Sequence, residues 1–400
     1  MKATARVLPA MLVALSIPTE VPAVTWYVDQ SGSGDATTIQ AGVDLASPGD
    51  IVVVLPGTYH EQVDLTTNDL RLIGASGAEA TIVDAEPMAY CLKTQGVTQT
   101  VLSGLTFTGA RGGYDYDGRT SFGVQLSGNA EIRECVFRDN LCDSASAIFG
   151  SGSLRVEDTR FIENIGVKYS YPDPGCNAAC IYWSGELEVD GCTFERNSGS
   201  CYATIMAGGS ITIFNSVFRE NERWVSYYHG GGLFTDIWGT STWWIERNIF
   251  VRNQGFPILD PGGNDSDVYL RFNTAVDNDP SGPSYPIPAL PGSIIRGNVF
   301  AGGDVGLHLP EGGGGITVAC NDSWGNEVNW EGYDPSGSNG NFSADPLFCD
   351  RSRDDFRVTG ASPLLPLHNE CGVFIGAVPN WCPTVSIESS TWSRIKARYR

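Results

Sequence analysis

CVFRDN (Cys135–Asn140), TRFIEN (Thr159–Asn164), CTFERN (Cys192–Asn197), SVFREN (Ser216–Asn221) and NIFVRN (Asn248–Asn253) are versions of one phrase, an aromatic residue followed three positions later by asparagine. A weaker copy, NTAVDN (Asn273–Asn278), keeps the asparagine and has Ala275 in the aromatic place. Degenerate copies lie at Leu105–Ala110 before the series and Asn298–Gly303 after it. With Phe107, Phe137, Phe161, Phe194, Phe218, Phe250, Ala275 and Phe300 taken as equivalent, the steps are 30, 24, 33, 24, 32, 25 and 25 residues. A period near 24 with insertions in three steps marks a solenoid, one supersecondary unit per repeat. Rungs of short strands stacked about 4.8 Å apart put the Phe side chains above one another in the interior. The asparagine then falls at a turn, where its amide can bond the rungs above and below and its backbone can take a left-handed conformation. Asn140, Asn164, Asn197, Asn221, Asn253 and Asn278 are expected to form such a structural ladder.

A repeat array runs long as one body, so 400 residues need not mean several domains. With 42% hydrophobic residues and 48 Gly the composition is ordered and turn-rich. Residues 1–23 read as a signal peptide: Lys2 and Arg6, an apolar run Val7–Ile17, and Val21-Pro22-Ala23 as cleavage site. That run is too short to span a bilayer and nothing later is longer, so an exported protein without a membrane span is expected. The chain carries −21; the first 23 residues contribute +1 and the tail 384–400 contributes +3, leaving the body near −25. Such a field disfavours nucleic acid and, without bridging cations, polyanionic glycans, and leaves neutral polymers open.

Eleven Cys in an exported chain point to disulfides with one left over, of a connectivity that sequence does not give. One pairing is excluded by the repeat. Cys135 and Cys192 hold the same place two rungs apart, roughly 9.5 Å, beyond the ~7 Å Cα limit of a bridge. Cys176-x-x-x-Cys180 lacks a second pair at finger spacing and is read as a loop disulfide or thiols.

Before the repeats, Ile39, Val43 and Ala46 follow a three-to-four spacing that predicts one amphipathic helix over Thr38–Ala46, stopped by Pro48-Gly49. All-apolar runs such as Ile51–Leu55 suit strands buried on both faces, as in parallel sheets. The stretch ATTIQAGVDLASPGDIVVVLPGTYHEQVDL, then LRLIGASG and TIVDA, resembles the opening of bacterial right-handed parallel β-helix proteins of the pectin-lyase-like superfamily. Asp345–Phe348, Asp355–Val358, Ser362-Pro363 and Gly372 to Ala377 are similar to the closing segment of such proteins. The resemblance spans roughly residues 25–380. It implies an all-β right-handed parallel β-helix over residues 24–383, with the short helix capping its open end. It names no activity, because the superfamily holds lyases, hydrolases, esterases, epimerases and members with none known.

The three long steps carry insertions Arg111–Thr120, Gly166–Ala179 and Glu222–Thr240 after the ladder asparagine. Leaving from one turn on alternate rungs, they are expected to flank a shared groove. The first brings Tyr114, Asp115, Tyr116, Asp117 and Arg119; the second Lys168, Tyr169, Tyr171 and Asp173. The third brings Trp224, Tyr227, Tyr228, His229, Asp236 and Trp238. Aromatic rings stack on the apolar faces of sugars and carboxylates accept hydrogen bonds from hydroxyls, so a glycan or cell-surface polymer is the expected partner.

For a lyase, a base must reach a proton next to a carboxylate that a cation neutralises; Lys168, Arg119 and His229, with Arg223, are the available bases. Asp115 and Asp117 could meet the wider carboxylate separation of a hydrolase. The polygalacturonase branch typically carries Asn-Thr-Asp, Asp-Asp, Gly-His-Gly and Arg-Ile-Lys. Here Ala275 follows Asn273-Thr274, Tyr228 precedes His229, and Asp354-Asp355 and Arg394-Ile395-Lys396 lie in the closing segment and tail, so that activity is rejected. Asp115 and Asp117 resemble a calcium loop without its distal Glu; no cofactor is required by this reading, and calcium is the one metal it allows. His60, His308 and His368 stand alone and are read as solvated or packed. Non-catalytic glycan or surface interaction is preferred, with a lyase-type polysaccharide enzyme and a structural surface protein as alternatives. In the tail, Trp392, Ile395 and Tyr399 on one helical face among basic residues suggest surface attachment.

Overall fold

The computed structural model describes residues 22–111, 122–143, 147–167, 179–199, 204–223, 234–236, 241–254, 258–260, 266–278, 292–311 and 315–382. They form a right-handed parallel β-helix whose rungs run through three sheets. One rung shows the pattern. Val124–Arg133 lies in sheet A, Val136–Arg138 in sheet B and Leu141–Asp143 in sheet C. Each pairs in parallel with its counterpart in the next rung, Ile148–Glu157, Arg160–Ile162 and Ile165–Val167.

The register sets like on like. Phe137 faces Phe107 and Phe161, and the same column continues through Phe194, Phe218, Phe250, Ala275 and Phe300. From Phe107 to Phe250 the rings stack in parallel, with centroids 4.5 to 5.2 Å apart. Phe234, from sheet A, meets Phe218 and Phe250 edge-on and fills the space between the walls. Removing each such side chain from water contributes roughly 2–3 kcal/mol.

The asparagine ladder is present, buried from Asn140 to Asn253 and half-buried at Asn278. The Asn164 side-chain amide donates to Asn197 Oδ1 at 3.0 Å and to the Phe137 carbonyl at 2.9 Å, and the pattern repeats from Asn140 to Asn278. The left-handed residue is not the asparagine, however. It is the one before it: Asp139, Glu163, Arg196, Glu220, Arg252 and Asp277 all have φ between 50° and 57°. A single left-handed residue turns the corner, and the asparagine after it points inward to the ladder.

A second ladder at the other corner was missed in the sequence. It uses the first position of the same phrase. The Cys135 and Cys192 backbone N–H groups donate to Thr159 and Ser216 hydroxyls, and Ser216 N–H to Asn248 Oδ1 at 2.9 Å. From there Asn248, Asn273, Asn298, Asn321 and Asn341 bond amide to amide. Cys135 and Cys192 form no disulfide, as the spacing required. Burial pushes both thiols up to about 12, which leaves them unreactive.

At the N-terminal end, helix α1 (Ile39–Leu45) covers the first rung. Thr38 accepts from the Ala41 N–H, and the Glu61 carboxylate accepts from the Ile39 and Gln40 N–H groups, satisfying the helix's free donors. The closing segment does not plug the opposite end. Residues 345–382 lie across the outer face of sheet B as a clasp. Phe356 packs on Val251 and Val276, and Leu364, Leu365 and Ile375 on Val299 and Ala301. Asp354 accepts from Arg252 at 2.6 Å and pairs with Arg219 at 3.1 Å. Disulfides Cys320–Cys371 and Cys349–Cys382 lock the clasp to the last rung and to itself.

Asp322 lies at the seam between clasp and sheet B. It is fully buried; one carboxyl oxygen accepts from the Ala344 N–H, and the other meets no partner among the described residues. Desolvation pushes its pKa up to about 8. The folded state therefore holds this proton to about pH 8 while the unfolded chain loses it near 3.8, so stability is lost as pH rises between those values. Asp322→Asn is expected to gain melting temperature relative to wild type as pH rises from 5 to 8.5; parallel melting curves across that range would refute the assignment. Asn197→Ala, which orphans buried donors and acceptors in two neighbouring rungs, is expected to cost about 2–4 kcal/mol in denaturant unfolding.

Candidate functional site

Sheet C organises the loops. Arg111 bridges to Leu141, which pairs with Ile165; Ile165 pairs with Ser198, Ser198 with Glu222, and Glu222 bridges to Gln254. The three long insertions leave from the ends of these stacked segments, after Arg111, Val167 and Arg223, and the described chain resumes at Phe122, Ala179 and Phe234 on the way into sheet A. Their described exits thus share one edge, as the expected common flank needs.

The insertions themselves lie outside the described residues. That holds for Tyr114, Asp115, Tyr116, Asp117 and Arg119, for Lys168, Tyr169, Tyr171 and Asp173, and for Trp224, Tyr227, Tyr228, His229 and Trp238. Of the expected site residues only Arg223, at the end of the strand Glu222–Arg223, and Asp236 fall in described segments, and Asp236 corrects the insertion's bounds. It ends the strand Phe234–Asp236, paired with Ala207 in sheet A, because Phe234 is drawn fully into the core.

Along the same edge the described residues present a strip of rings. Tyr90 stacks on Phe122 at 5.4 Å, Phe122 on Phe149 at 6.3 Å, and Phe149 meets Tyr182 at 5.4 Å. Phe149 and Tyr182 are partners in adjacent strands, followed in register by Met206. The strip runs parallel to the helix axis; Tyr90, Phe149 and Tyr182 are half-buried and Phe122 is buried between them. The Tyr90 hydroxyl donates to Asp64 at 2.9 Å, and the Lys93 ammonium sits 4.4 Å above the Tyr90 ring. Burial raises the Tyr90 pKa, so the phenol stays a donor.

Next to the strip, sheet A bends. Gly128, Gly152, Gly185 and Gly209 stack at the bend, all with positive φ. A Cβ on Gly152 would lie 2.2 Å from the Gly128 carbonyl oxygen, so no side chain fits. Beyond the bend and toward the later rungs, Trp244 stacks on Tyr269 at 3.9 Å. Thr212, Phe214, Trp244, Glu246 and Arg247 line an open groove of about 390 Å³ there. A second groove, lined by Arg196, Glu220, Glu222, Arg252 and Gln254, is a set of ion pairs. Arg252 serves Glu220 at 3.0 Å as well as Asp354, and these bonds raise its pKa further. Its charges are spent on holding the clasp.

The three described histidines are paired. His308 Nδ1 lies 2.5 Å from Glu331, His60 3.3 Å from Asp84, and His368 Nδ1 2.9 Å from the Ser362 carbonyl. Among the described residues no three His, Cys, Asp or Glu side chains group as a metal site, and no helix is long and apolar enough to cross a membrane.

Stacked parallel rungs, two internal ladders and one loop-bearing edge define a right-handed parallel β-helix. Residues 72–323 match the family described as "Right handed beta helix region", more than half of the chain, and the protein belongs to that family. In structure the chain is similar to pectate lyase Pel9A, with 14% identity, a TM-score of 0.52, and cover of 87% of this chain and 92% of that one. It also matches pectin methylesterase PemA from Erwinia chrysanthemi, at 12% identity, TM-score 0.34, and cover of 68% and 91%. No curated protein matches it in sequence. At these identities the likeness is one of fold. Gly152→Ala is expected to reduce soluble yield and melting temperature sharply, because the clash is with backbone on the rung before; an unchanged melting curve would mean that sheet A can shift there.

Proposed function

We propose that this protein is exported and binds a neutral polysaccharide or cell-surface glycan along sheet A, without altering it. The observation that carries this reading is the ring strip from Tyr90 to Tyr182, parallel to the helix axis and beside the edge from which the aromatic and acidic loops leave. Rings one rung apart, about 4.8 Å, can support successive units of an extended chain, and ring faces favour the apolar faces of sugars. Tyr114, Tyr116, Tyr169, Tyr171, Trp224, Tyr227, Tyr228 and Trp238 would supply the walls, and Asp115, Asp117, Asp173 and Asp236 the hydroxyl acceptors. Two disulfides suit an oxidising compartment, where such polymers are met. The strong net negative charge of the chain favours neutral over acidic chains at this groove.

The test is a panel of neutral and acidic glycans, with and without calcium, read by tryptophan fluorescence and affinity electrophoresis. A neutral glycan is expected to bind, with at least tenfold weakening in Phe149→Ser/Tyr182→Ser and in Trp224→Ala/Tyr228→Ala. Binding untouched by both variants would remove the groove. New reducing ends or new ultraviolet absorbance would instead make the protein a polysaccharide-active enzyme, with Lys168, Arg119 and His229 the first bases to replace. Calcium-dependent binding lost in Asp115→Asn/Asp117→Asn would place the ion in the first loop.

A further inference from the structure

Three arginines stand on successive rungs of the far end of sheet A. Arg271 and Arg296 are direct partners in adjacent strands, and Arg247 follows Glu246, the partner of Arg271 on the rung before. Glu246 is the one carboxylate they share, 3.3 Å from Arg247 and 3.9 Å from Arg271. Arg296 has no carboxylate within ion-pair distance among the described residues. In a chain of net charge −21 this is a local excess of positive charge.

The surroundings are aromatic. The Trp244–Tyr269 stack lies in the same strands, with Trp244 36% exposed, and Phe214 lines the groove beside it. Phe272 is the outlier. Its φ is 53°, a left-handed conformation that a bulky side chain seldom takes. Arg247 and Arg271 lie 5.9 and 5.7 Å from its ring centre, and Gly297 on the next rung leaves room for the ring; a Cβ there would be 2.5 Å from it. The equivalent corners are left-handed too, at Glu134, Asp158, Gly191, Asn215, Arg247 and Cys320, and Phe272 is the one aromatic residue among these described corners. Strain kept where nothing in the fold asks for a ring points to use of the ring.

We propose that this patch binds a sugar carrying a tetrahedral oxyanion, a sulfate or phosphate ester. The sugar ring packs on Trp244, and the ester bridges the guanidinium groups of Arg271 and Arg296. Strands are about 4.8 Å apart, which suits an anion whose oxygens diverge toward two guanidinium groups; a planar carboxylate is satisfied by the fork of one. The ring of Phe272 holds the two neighbouring arginines in place.

Dextran, dextran sulfate, phosphorylated dextran and polygalacturonate, titrated into the full chain in a calorimeter at low salt, test this. Dextran sulfate or phosphorylated dextran is expected to bind at least tenfold tighter than the other two, and the two ester arms tell sulfate from phosphate. Arg271→Gln/Arg296→Gln should lose that tenfold and keep the neutral-glycan binding assigned to the ring strip, so the two sites fail separately. Phe272→Gly should melt higher, by relief of the left-handed strain, and bind the ester polymer more weakly. Polygalacturonate binding as tightly as dextran sulfate, ester binding unchanged in the double arginine variant, or Phe272→Gly melting lower with full binding would each overturn the proposal.

Discussion

In a stack of parallel rungs each interior side chain rests on its counterpart one rung away, about 4.8 Å along the axis. That spacing is near the thickness of an aromatic ring plus its contact distance, and it equals the reach of an amide bonding to an amide. A column must therefore repeat its chemistry. Phe on Phe satisfies this inside sheet B, Asn on Asn at the corner after it, and Thr, Ser and Asn at the corner before it. A buried amide on its own would cost the desolvation of unpaired donors. In a column each amide donates to the next rung and accepts from the one before, and the last members, Asn278 and Asn341, donate to backbone carbonyls instead.

The same rule explains the two ends. A column must stop, and its last rung exposes apolar area and unpaired strand groups. Helix α1 meets this at the start, with Ile39 and Val43 turned to the first rung. At the other end the chain returns along sheet B, and the ion pairs of Asp354 and the disulfides bring residues far apart in sequence onto rungs already formed. Asp354 and Asp322 then work in opposite senses. Arg252 and Arg219 keep the first carboxyl ionised by lowering its pKa, while burial keeps the second protonated. The Asp354 contact weakens as pH falls below about 3.8 and the Asp322 contribution as pH rises from there to about 8, so the two together are most favourable at about pH 4.

What could be read from the sequence follows from this repetition. Phe137, Phe161, Phe194 and their asparagines recur at a fixed offset because their environment recurs, and fold and ladder were legible from them, as the capping helix was from the spacing of Ile39, Val43 and Ala46. The second ladder was equally present, in the first letter of each phrase, but its members change from Cys and Thr to Ser and Asn; only the position is constant. The left-handed corner residues were unreadable because Asp, Glu, Arg and Phe all occupy them. For the site, sequence located the edge where the insertions leave, which the pairings of Arg111, Leu141, Ile165 and Glu222 confirm. It misplaced Asp236, since a three-residue strand anchored by one buried Phe gives no alternating pattern.

Residues free of the stacking rule are the informative ones. An outward-facing side chain has no neighbour that obliges it to repeat, so where outward columns turn aromatic or change sign, the cause lies outside the fold. On sheet A, the register row of Glu131, Arg155, Glu188 and Thr212 continues into Trp244 and Tyr269, and that of Arg133, Glu157 and Asp190 into Phe214, Glu246, Arg271 and Arg296. The early rungs place opposite charges in contact, as Arg133 and Arg155 do with Glu157, which is what solubility alone would select. The late rungs bring in rings at Phe214, Trp244 and Tyr269, keep one opposite pair at Glu246 and Arg271, and end on the like pair Arg271 and Arg296. Two arginines side by side repel each other, and Glu246 offsets this at Arg271 and not at Arg296. The rings at Trp244 and Tyr269 and the pair Arg271 and Arg296 thus answer to no rule of the core, and they are the basis of the second site proposed above.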